Sequence, residues 1–90
     1  VEACHYWRGV IFQTLMEYDK AVPEYKRVLQ INPHTPRKDI YFRLAQIYDK
    51  QLKQFAQARK YYEQAAVKGE YGKFRAEAEA RAKELAEAGY

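Results

Sequence analysis

Residues 18–28 have the sequence YDKAVPEYKRV, and residues 55–65 have the sequence FAQARKYYEQA. Each stretch contains an aromatic residue, an alanine three positions later, an aromatic residue four positions further on, and a small apolar residue after three more. Steps of three and four place these side chains on one face of an α-helix, because a helical turn contains 3.6 residues. The chain therefore repeats a helical element.

A second helical stretch precedes each copy of this element. Gly9 and Phe12 lie upstream of the first copy, and Leu44, Ala45 and Tyr48 lie upstream of the second. The offset between the two units is 36 or 37 residues, so each unit is expected to be a pair of helices. Together with the C-terminal stretch, the pattern predicts five helices, at about 2–15, 18–31, 36–52, 55–68 and 72–88.

Proline and glycine residues mark the expected helix ends. Pro33 ends the second helix, because proline cannot continue a helix and biases the preceding residue away from the α region. We predict Thr35 as the N-cap of the third helix and Pro36 as its first residue. Gly69 and Gly89 are predicted to end the last two helices, since glycine adopts a positive φ without strain.

Two features of the sequence bear on this helix assignment, namely Pro23 and an extra residue in the second unit. Pro23 would be costly inside a helix, so we expect Asp19 to cap the second helix and the helix to start near Tyr18. The second unit also contains one residue more than the first, around positions 51–54. We expect this residue to lengthen the turn between the helices.

Composition excludes several classes of protein. Ninety residues, 48% of them hydrophobic and 31% charged, are typical of one folded domain. No apolar stretch approaches the ~20 residues of a membrane span, so we expect a soluble domain. The net charge is +4, and the sixteen basic residues are spread from Arg8 to Lys83 among twelve acidic ones, which indicates a solvated surface rather than a nucleic-acid site. Cys4 is the only cysteine, so no internal disulfide is possible.

The sequence offers no arrangement typical of catalysis. It contains no serine, and the neighbouring Cys4 and His5 point apart on a helix. His5 and His34 lie in different parts of the predicted fold, and no glycine-rich phosphate loop or metal-ligand spacing is present. We therefore expect no enzyme, no cofactor, no metal site and no small-molecule substrate.

These residues resemble the tetratricopeptide repeat, a helix–turn–helix unit of 34 residues. In the first unit, the positions of the family motif fall on His5, Arg8, Gly9, Phe12, Ala21, Tyr25, Val28 and Pro33. In the second unit, they fall on Tyr41, Leu44, Ala45, Tyr48, Ala58, Tyr62, Ala65 and Glu70. The departures from the family motif are mainly at His5 and Arg8, where the family has tryptophan and leucine.

The resemblance implies an all-α solenoid in a single domain, residues 1–90. Repeat 1 would span about 2–35, repeat 2 about 36–71, and a capping helix about 72–88, with Phe74, Ala78, Ala82 and Leu85 on its inner stripe. Because Val1 is predicted to lie inside a helix, we interpret the chain as a piece excised from a longer protein. The polar outer face of the last helix is typical of the end of a repeat stack.

The resemblance also implies a function, which is the binding of a protein or peptide in a concave groove lined by the first helix of each unit. The predicted groove residues are Tyr6, Trp7, Val10, Gln13, Phe42, Arg43, Gln46, Asp49 and Lys50. Chaperone-binding members clamp a terminal carboxylate with a lysine and an asparagine, at positions that are Tyr6 and Val10 here. We expect Tyr6, Phe42 and Arg43 to dominate binding, with little effect of their alanine variants on folding.

Alternative interpretations concern assembly. Tyr6, Trp7 and Val10 could equally contact a neighbouring first helix, and self-association through the exposed first helix is possible. The stretch Ala58-Arg59-x-x-Tyr62-Glu63-x-Ala65 is close to the half-a-TPR repeat of RNA-processing factors. That resemblance implies a structural repeat in a multiprotein complex.

Overall fold

The computed structural model describes residues 2–68 and 73–90. The described residues form α1 (Glu2–Thr14), α2 (Tyr18–Ile31), α3 (Asp39–Gln46), a π-helical turn (Ile47–Gln51), α4 (Phe55–Lys68) and α5 (Lys73–Glu87). They contain no strand, which confirms the predicted all-α class. The chain divides into two compact units, Val1–Pro36 and Arg37–Tyr90, and each is described by itself.

The predicted bounds of α2 and α4 are confirmed at both ends, and α1 ends one residue before the predicted position. The C-terminal glycine also behaves as expected. Gly89 has a φ of +96°, and the amides of Gly89 and Tyr90 donate to the carbonyls of Ala86 and Leu85. This paired bonding closes α5 as a Schellman motif. Gly69 lies outside the described residues.

The predicted start of the third helix is wrong. The helix begins at Asp39, and neither Thr35 nor Pro36 belongs to it. The Thr35 hydroxyl donates to the carboxylate of Glu2 instead of capping the helix, and Thr35 is buried. Asn32 organises the preceding turn, since its side-chain oxygen accepts from the His34 amide at 3.1 Å and its carbonyl accepts from the Thr35 amide at 3.1 Å.

The assignment of Asp19 as a cap is also wrong, although the predicted helix start at Tyr18 is confirmed. The cap position is Glu17, whose carbonyl accepts from the amides of Lys20 and Ala21. Pro23 therefore lies inside the helix. It removes one helical hydrogen bond, because a proline has no amide hydrogen to give to the carbonyl four residues earlier.

A π-helical turn, Ile47–Gln51, lies where the second unit contains its extra residue. The Leu52 amide bonds to the Ile47 carbonyl at 2.9 Å, five residues back rather than four. The chain then reverses at Lys53, which has a φ of +56°. We expected the extra residue in the connecting turn, but the last turn of the preceding helix accommodates it.

The core of the first unit depends on a close approach of α1 and α2 at Gly9. A Cβ atom placed on Gly9 would lie 2.7 Å from Cε1 of Tyr25, closer than carbon atoms can pack. Tyr25 cannot easily move away, since it is fully buried and its hydroxyl donates to the Gln13 side chain at 2.6 Å. Glycine is therefore required at position 9 because a Cβ atom would clash with Tyr25, and not because of the backbone conformation.

Gly9→Ala is expected to destabilise the first unit. Overpacking lowers the free energy of unfolding by about 1–3 kcal/mol, and the higher helix propensity of alanine offsets about 1 kcal/mol of this loss. Thermal and urea unfolding would measure the difference. In a Tyr25→Leu background the same substitution should be neutral or stabilising, because the ring that it meets is gone. An equal cost of Gly9→Ala in both backgrounds would contradict this explanation.

In the second unit, α4 packs against both α3 and α5. Three of the four residues on the predicted inner stripe of α5 are buried, namely Ala78, Ala82 and Leu85. The fourth, Phe74, is 47% exposed. From α4, Ala58, Tyr62 and Ala65 are buried in the same core. The two helices beside α4 define the walls of a cleft.

Candidate functional site

Two contacts fix the relative direction of α3 and α5. The rings of Phe42 and Phe74 lie 5.1 Å apart, and an Arg81 nitrogen lies 2.8 Å from an Asp49 oxygen. Both pairs are separated by 32 residues in sequence. Because the offset is constant over two helical turns, the helices run parallel and in register.

A cleft of about 160 Å³ lies between these helices. Its lining residues come from α3, the π-helical turn, α4 and α5, and they are Phe42, Gln46, Asp49, Lys50, Tyr62, Glu77 and Arg81. Typical small-molecule pockets are ~300–1,000 Å³. The cleft is thus sized for one or two side chains of a partner rather than for a cofactor.

A charged network at the base of the cleft joins α5 to the π-helical turn. Asp49 is only 4% exposed, and Arg81 donates to both of its carboxylate oxygens, at 2.9 and 2.8 Å. The Tyr62 hydroxyl donates a third hydrogen bond to Asp49, at 3.0 Å. Arg81 directs its remaining Nη1 to Glu84, at 2.9 Å. A buried carboxylate needs such partners, because a lone buried charge is costly.

The network determines the protonation states of Asp49 and Tyr62. The hydrogen bonds from Arg81 hold the pKa of Asp49 below its ordinary value, although burial acts in the opposite direction. Burial, followed by the hydrogen bond to Asp49, raises the pKa of Tyr62. At neutral pH, Asp49 is therefore an anion, and Tyr62 remains a hydrogen-bond donor.

Two polar side chains that line the cleft, one on α3 and one on the π-helical turn, are available to bind a ligand. Lys50 is exposed, and no ion pair joins it to another residue that the structure describes. Gln46 is half-buried, and within the described ranges its amide makes no hydrogen bond. Both side chains face the cleft. They supply an ammonium donor and an amide that can donate or accept.

A family model described as tetratricopeptide repeat matches residues 17–70, which is more than half of the chain. The chain belongs to the tetratricopeptide repeat family. Repeats of this family are protein–protein interaction modules. The match covers α2, α3 and α4, and it includes the signature residues Ala21, Tyr25, Tyr48 and Tyr62. No curated protein and no solved structure matched the chain at the level of similarity that we required.

The predicted groove residues of the second tetratricopeptide unit lie mostly together. Four of them line the cleft, namely Phe42, Gln46, Asp49 and Lys50. Arg43 is not among the lining residues, and its Nε donates to the Asp39 carboxylate, four residues earlier, at 2.7 Å.

The predicted groove residues of the first tetratricopeptide unit differ in exposure. Tyr6 is 7% exposed and packs against Trp7 and Tyr25, whereas Trp7 is 55% exposed. Val10 and Gln13 are half-buried, and Gln13 accepts the hydrogen bond from Tyr25. Trp7 is therefore not a core residue of this unit.

The expectation that alanine at Tyr6 or Phe42 would hardly affect folding is wrong. Both side chains are at least nine-tenths buried. Phe42 lies between the rings of Tyr62 and Phe74, at centroid distances of 5.9 and 5.1 Å. Truncating a buried aromatic ring costs ~3–5 kcal/mol, so alanine at either position would disturb folding as well as binding.

Three lining residues are not among those predicted from the sequence, namely Tyr62, Glu77 and Arg81. Tyr62 was assigned to the repeat core, and the polar residues of α5 were assigned to a solvent-facing surface. One sequence signal could have identified Arg81. It follows Phe74 by seven residues and Ala78 by three, so it shares their helix face, which is otherwise apolar.

Other kinds of site find little support in the described part of the chain. Among residues 2–68 and 73–90, no group of three or more His, Cys, Asp or Glu side chains could hold a metal ion. None of the helices described is long and apolar enough to cross a bilayer.

Proposed function

We propose that the chain binds a peptide segment of a protein partner in the cleft between α3 and α5. One observation carries the proposal: the cleft combines the aromatic Phe42 with the amide of Gln46, which makes no hydrogen bond within the described ranges, and the ammonium of Lys50, which makes no ion pair there. Tight interfaces typically place an apolar anchor beside a few polar groups that fix orientation. In the first unit, taken by itself, Trp7, Val10 and Gln13 are proposed as contacts of a protein partner. The proposal assigns the chain no catalysis.

Filling the cleft tests this function without damaging the core. Gln46 is half-buried and makes no hydrogen bond within the described ranges, so Gln46→Trp should fold while its indole occupies the binding space. Peptides selected from a random displayed library against the wild-type chain should lose at least about tenfold in affinity for this variant. Gln57→Trp, on an exposed face of α4, is the matched control and should bind normally. Equal binding by all three proteins would refute the proposal.

Assembly is a second candidate function, and the exposed face of α1 favours it. Ala3, Trp7, Ile11 and Leu15 are exposed and lie four residues apart on one helical ridge. The large ones are 55%, 55% and 62% exposed, and the adjacent Met16 is 73% exposed. The ridge is uncharged, and Trp7 and Leu15 each lie four residues from Ile11. Two copies could therefore pack ridge to ridge in an antiparallel pair, with each Trp7 beside the partner's Leu15.

Self-association of this kind should be weak. A ridge on a helix roughly 20 Å long covers less than the ~800 Å² per partner of a stable interface. In sedimentation experiments across a wide concentration range, the average mass of the wild-type chain should rise, and that of Ile11→Lys should not. Val67→Lys, which places the same charge on another exposed apolar residue, is the control. A wild-type chain that stays monomeric at every concentration would exclude this assembly.

A further inference from the structure

The cleft between α3 and α5 differs in chemistry from one end to the other. We propose that its ligand is an extended peptide segment with an apolar side chain and an acidic side chain four positions apart. This inference rests on the proposed peptide-binding function and specifies the peptide. It follows from three features: the position of the aromatic rings, the three hydrogen bonds that Asp49 already accepts, and the distance from Phe42 to Lys50.

The aromatic end lies toward the first turns of α3 and α5. Phe42 contacts Phe74 at 5.1 Å and Tyr62 at 5.9 Å. Phe74 is not among the lining residues, but it contacts the lining residue Phe42, and 47% of Phe74 is exposed. An apolar side chain placed against these rings would remove apolar surface from water on both partners. This end therefore takes the apolar anchor.

The other end of the cleft selects an acceptor with negative charge. Asp49 cannot attract a basic ligand effectively, because Arg81 and Tyr62 already donate three hydrogen bonds to it. Lys50 makes no ion pair with any residue described, so its ammonium has full donor capacity. Glu77 lies one helical turn before Arg81, toward the aromatic end, where it disfavours an acid. An acidic group is thus favoured only beside Lys50.

The distance between the two ends defines the spacing in the ligand. Phe42 and Lys50 are eight residues apart in helical backbone, half of it in α3 and half in the π-helical turn, which corresponds to roughly 12 Å at the rise of an α-helix. An extended chain advances ~3.3 Å per residue, so this distance corresponds to about four residues. Residues four apart in an extended chain also point to the same side, and the residue midway between them faces Gln46. The acid can precede or follow the apolar residue.

A helical ligand fits the cleft less well. An α-helix with its side chains is ~10–12 Å across, whereas the cleft has a volume of only about 160 Å³. A helix would also need about eight residues, rather than four, to join the two ends. The geometry therefore favours an extended segment whose alternate side chains enter the cleft.

The experiment begins with a random linear peptide library displayed on phage and selected against the intact chain. The expected enrichment is an apolar residue with Asp or Glu four positions away. Synthetic peptides with both ends capped then test the pattern, so that no terminal carboxylate contributes. A peptide with Leu and Glu four apart should bind at least about tenfold more tightly than the same peptide with Lys in place of Glu, or with Glu moved by one position.

Lys50→Glu provides the decisive variant, and it should reverse the preference between the Glu and Lys peptides. Lys60→Glu is the matched control, because Lys60 is exposed on α4, does not line the cleft, and has its ammonium 5.8 Å from the ring centroid of Tyr61 instead. Peptides that Gln46→Trp rejects but that show no acidic preference would overturn this inference and leave the proposed function intact. It would also be overturned if the apolar and acidic residues of the selected peptides lay seven or eight positions apart, or if the preference for an acid survived Lys50→Glu. Both proposals would be refuted if the library gave no binding peptide, or if the selected peptides bound Gln46→Trp as tightly as the wild-type chain.

Discussion

A chain that ends at residue 71 is expected to lose the cooperative unfolding of its second unit. Removal of α5 exposes Tyr62 and Ala65 of α4 to water and leaves Asp49 without Arg81. At ~25 cal/mol per Å² of apolar surface, the loss is on the order of 5 kcal/mol before the unpaired carboxylate is counted. This is comparable with the total stability of a small domain.

Circular dichroism and urea unfolding of the shortened chain would measure this effect. A chain that ends at Glu87 is the appropriate control, because it keeps the whole of α5 and loses only the closing turn and the contacts of Tyr90 with Phe55 and Arg59. We expect the control to lose about 1–2 kcal/mol, well below the loss on removing α5. If the chain ending at residue 71 melted within a degree or two of the full chain, α5 would not be part of the second core.

Arg81→Met is expected to destabilise the second unit by about 2–3 kcal/mol. Removing one partner of a buried ion pair typically costs ~3–5 kcal/mol, since the remaining charge is left uncompensated. Asp49 is 4% exposed, but the Arg81 side chain is 36% exposed, so solvent reduces the effect. Methionine keeps the length and most of the apolar contact of the side chain. Arg75→Met, at an exposed pair with Glu79, is the control and should cost under ~0.5 kcal/mol.

The dependence of this effect on pH identifies its origin. Arg81 lowers the pKa of Asp49 in the folded chain below its ordinary value of 3.8. The stabilisation by the pair is therefore complete above about that pH. It is lost as the pH falls further, through the lowered pKa of the folded state. The difference in free energy of unfolding between wild type and Arg81→Met should be constant near neutral pH and shrink in acid. A difference that persists unchanged in strong acid would indicate a packing defect instead.

The sequence predicts the helices well where local signals determine them. α2 and α4 repeat the same apolar spacing, and Pro33 and Gly89 each lie two residues beyond a helix end. The start of α3 was not predictable in this way. The hydroxyl of Thr35, the predicted cap, donates to Glu2 across 33 residues rather than to the start of α3. A contact between residues so far apart in sequence produces no local residue pattern from which it could be predicted.

The candidate site was predictable on one wall only. The family resemblance identified Phe42, Gln46 and Lys50, because the repeat fixes which face of a first helix is directed to the groove. It did not identify Arg81, since the pattern of α5 alone does not show which helix its polar residues meet. The pairing of Arg81 with Asp49 requires the parallel register of α3 and α5, which is a property of the packed structure.

Mapping a bound peptide onto the chain by nuclear magnetic resonance tests the central claim most directly. The claim is that the cleft between α3 and α5 is the binding site. On titration with a peptide selected from the library, we predict the largest shifts at the side-chain amide of Gln46, the backbone of Lys50 and the guanidinium of Arg81. Shifts confined to residues outside the cleft on α4, such as Arg59 and Lys60, with Gln46 unchanged, would contradict it.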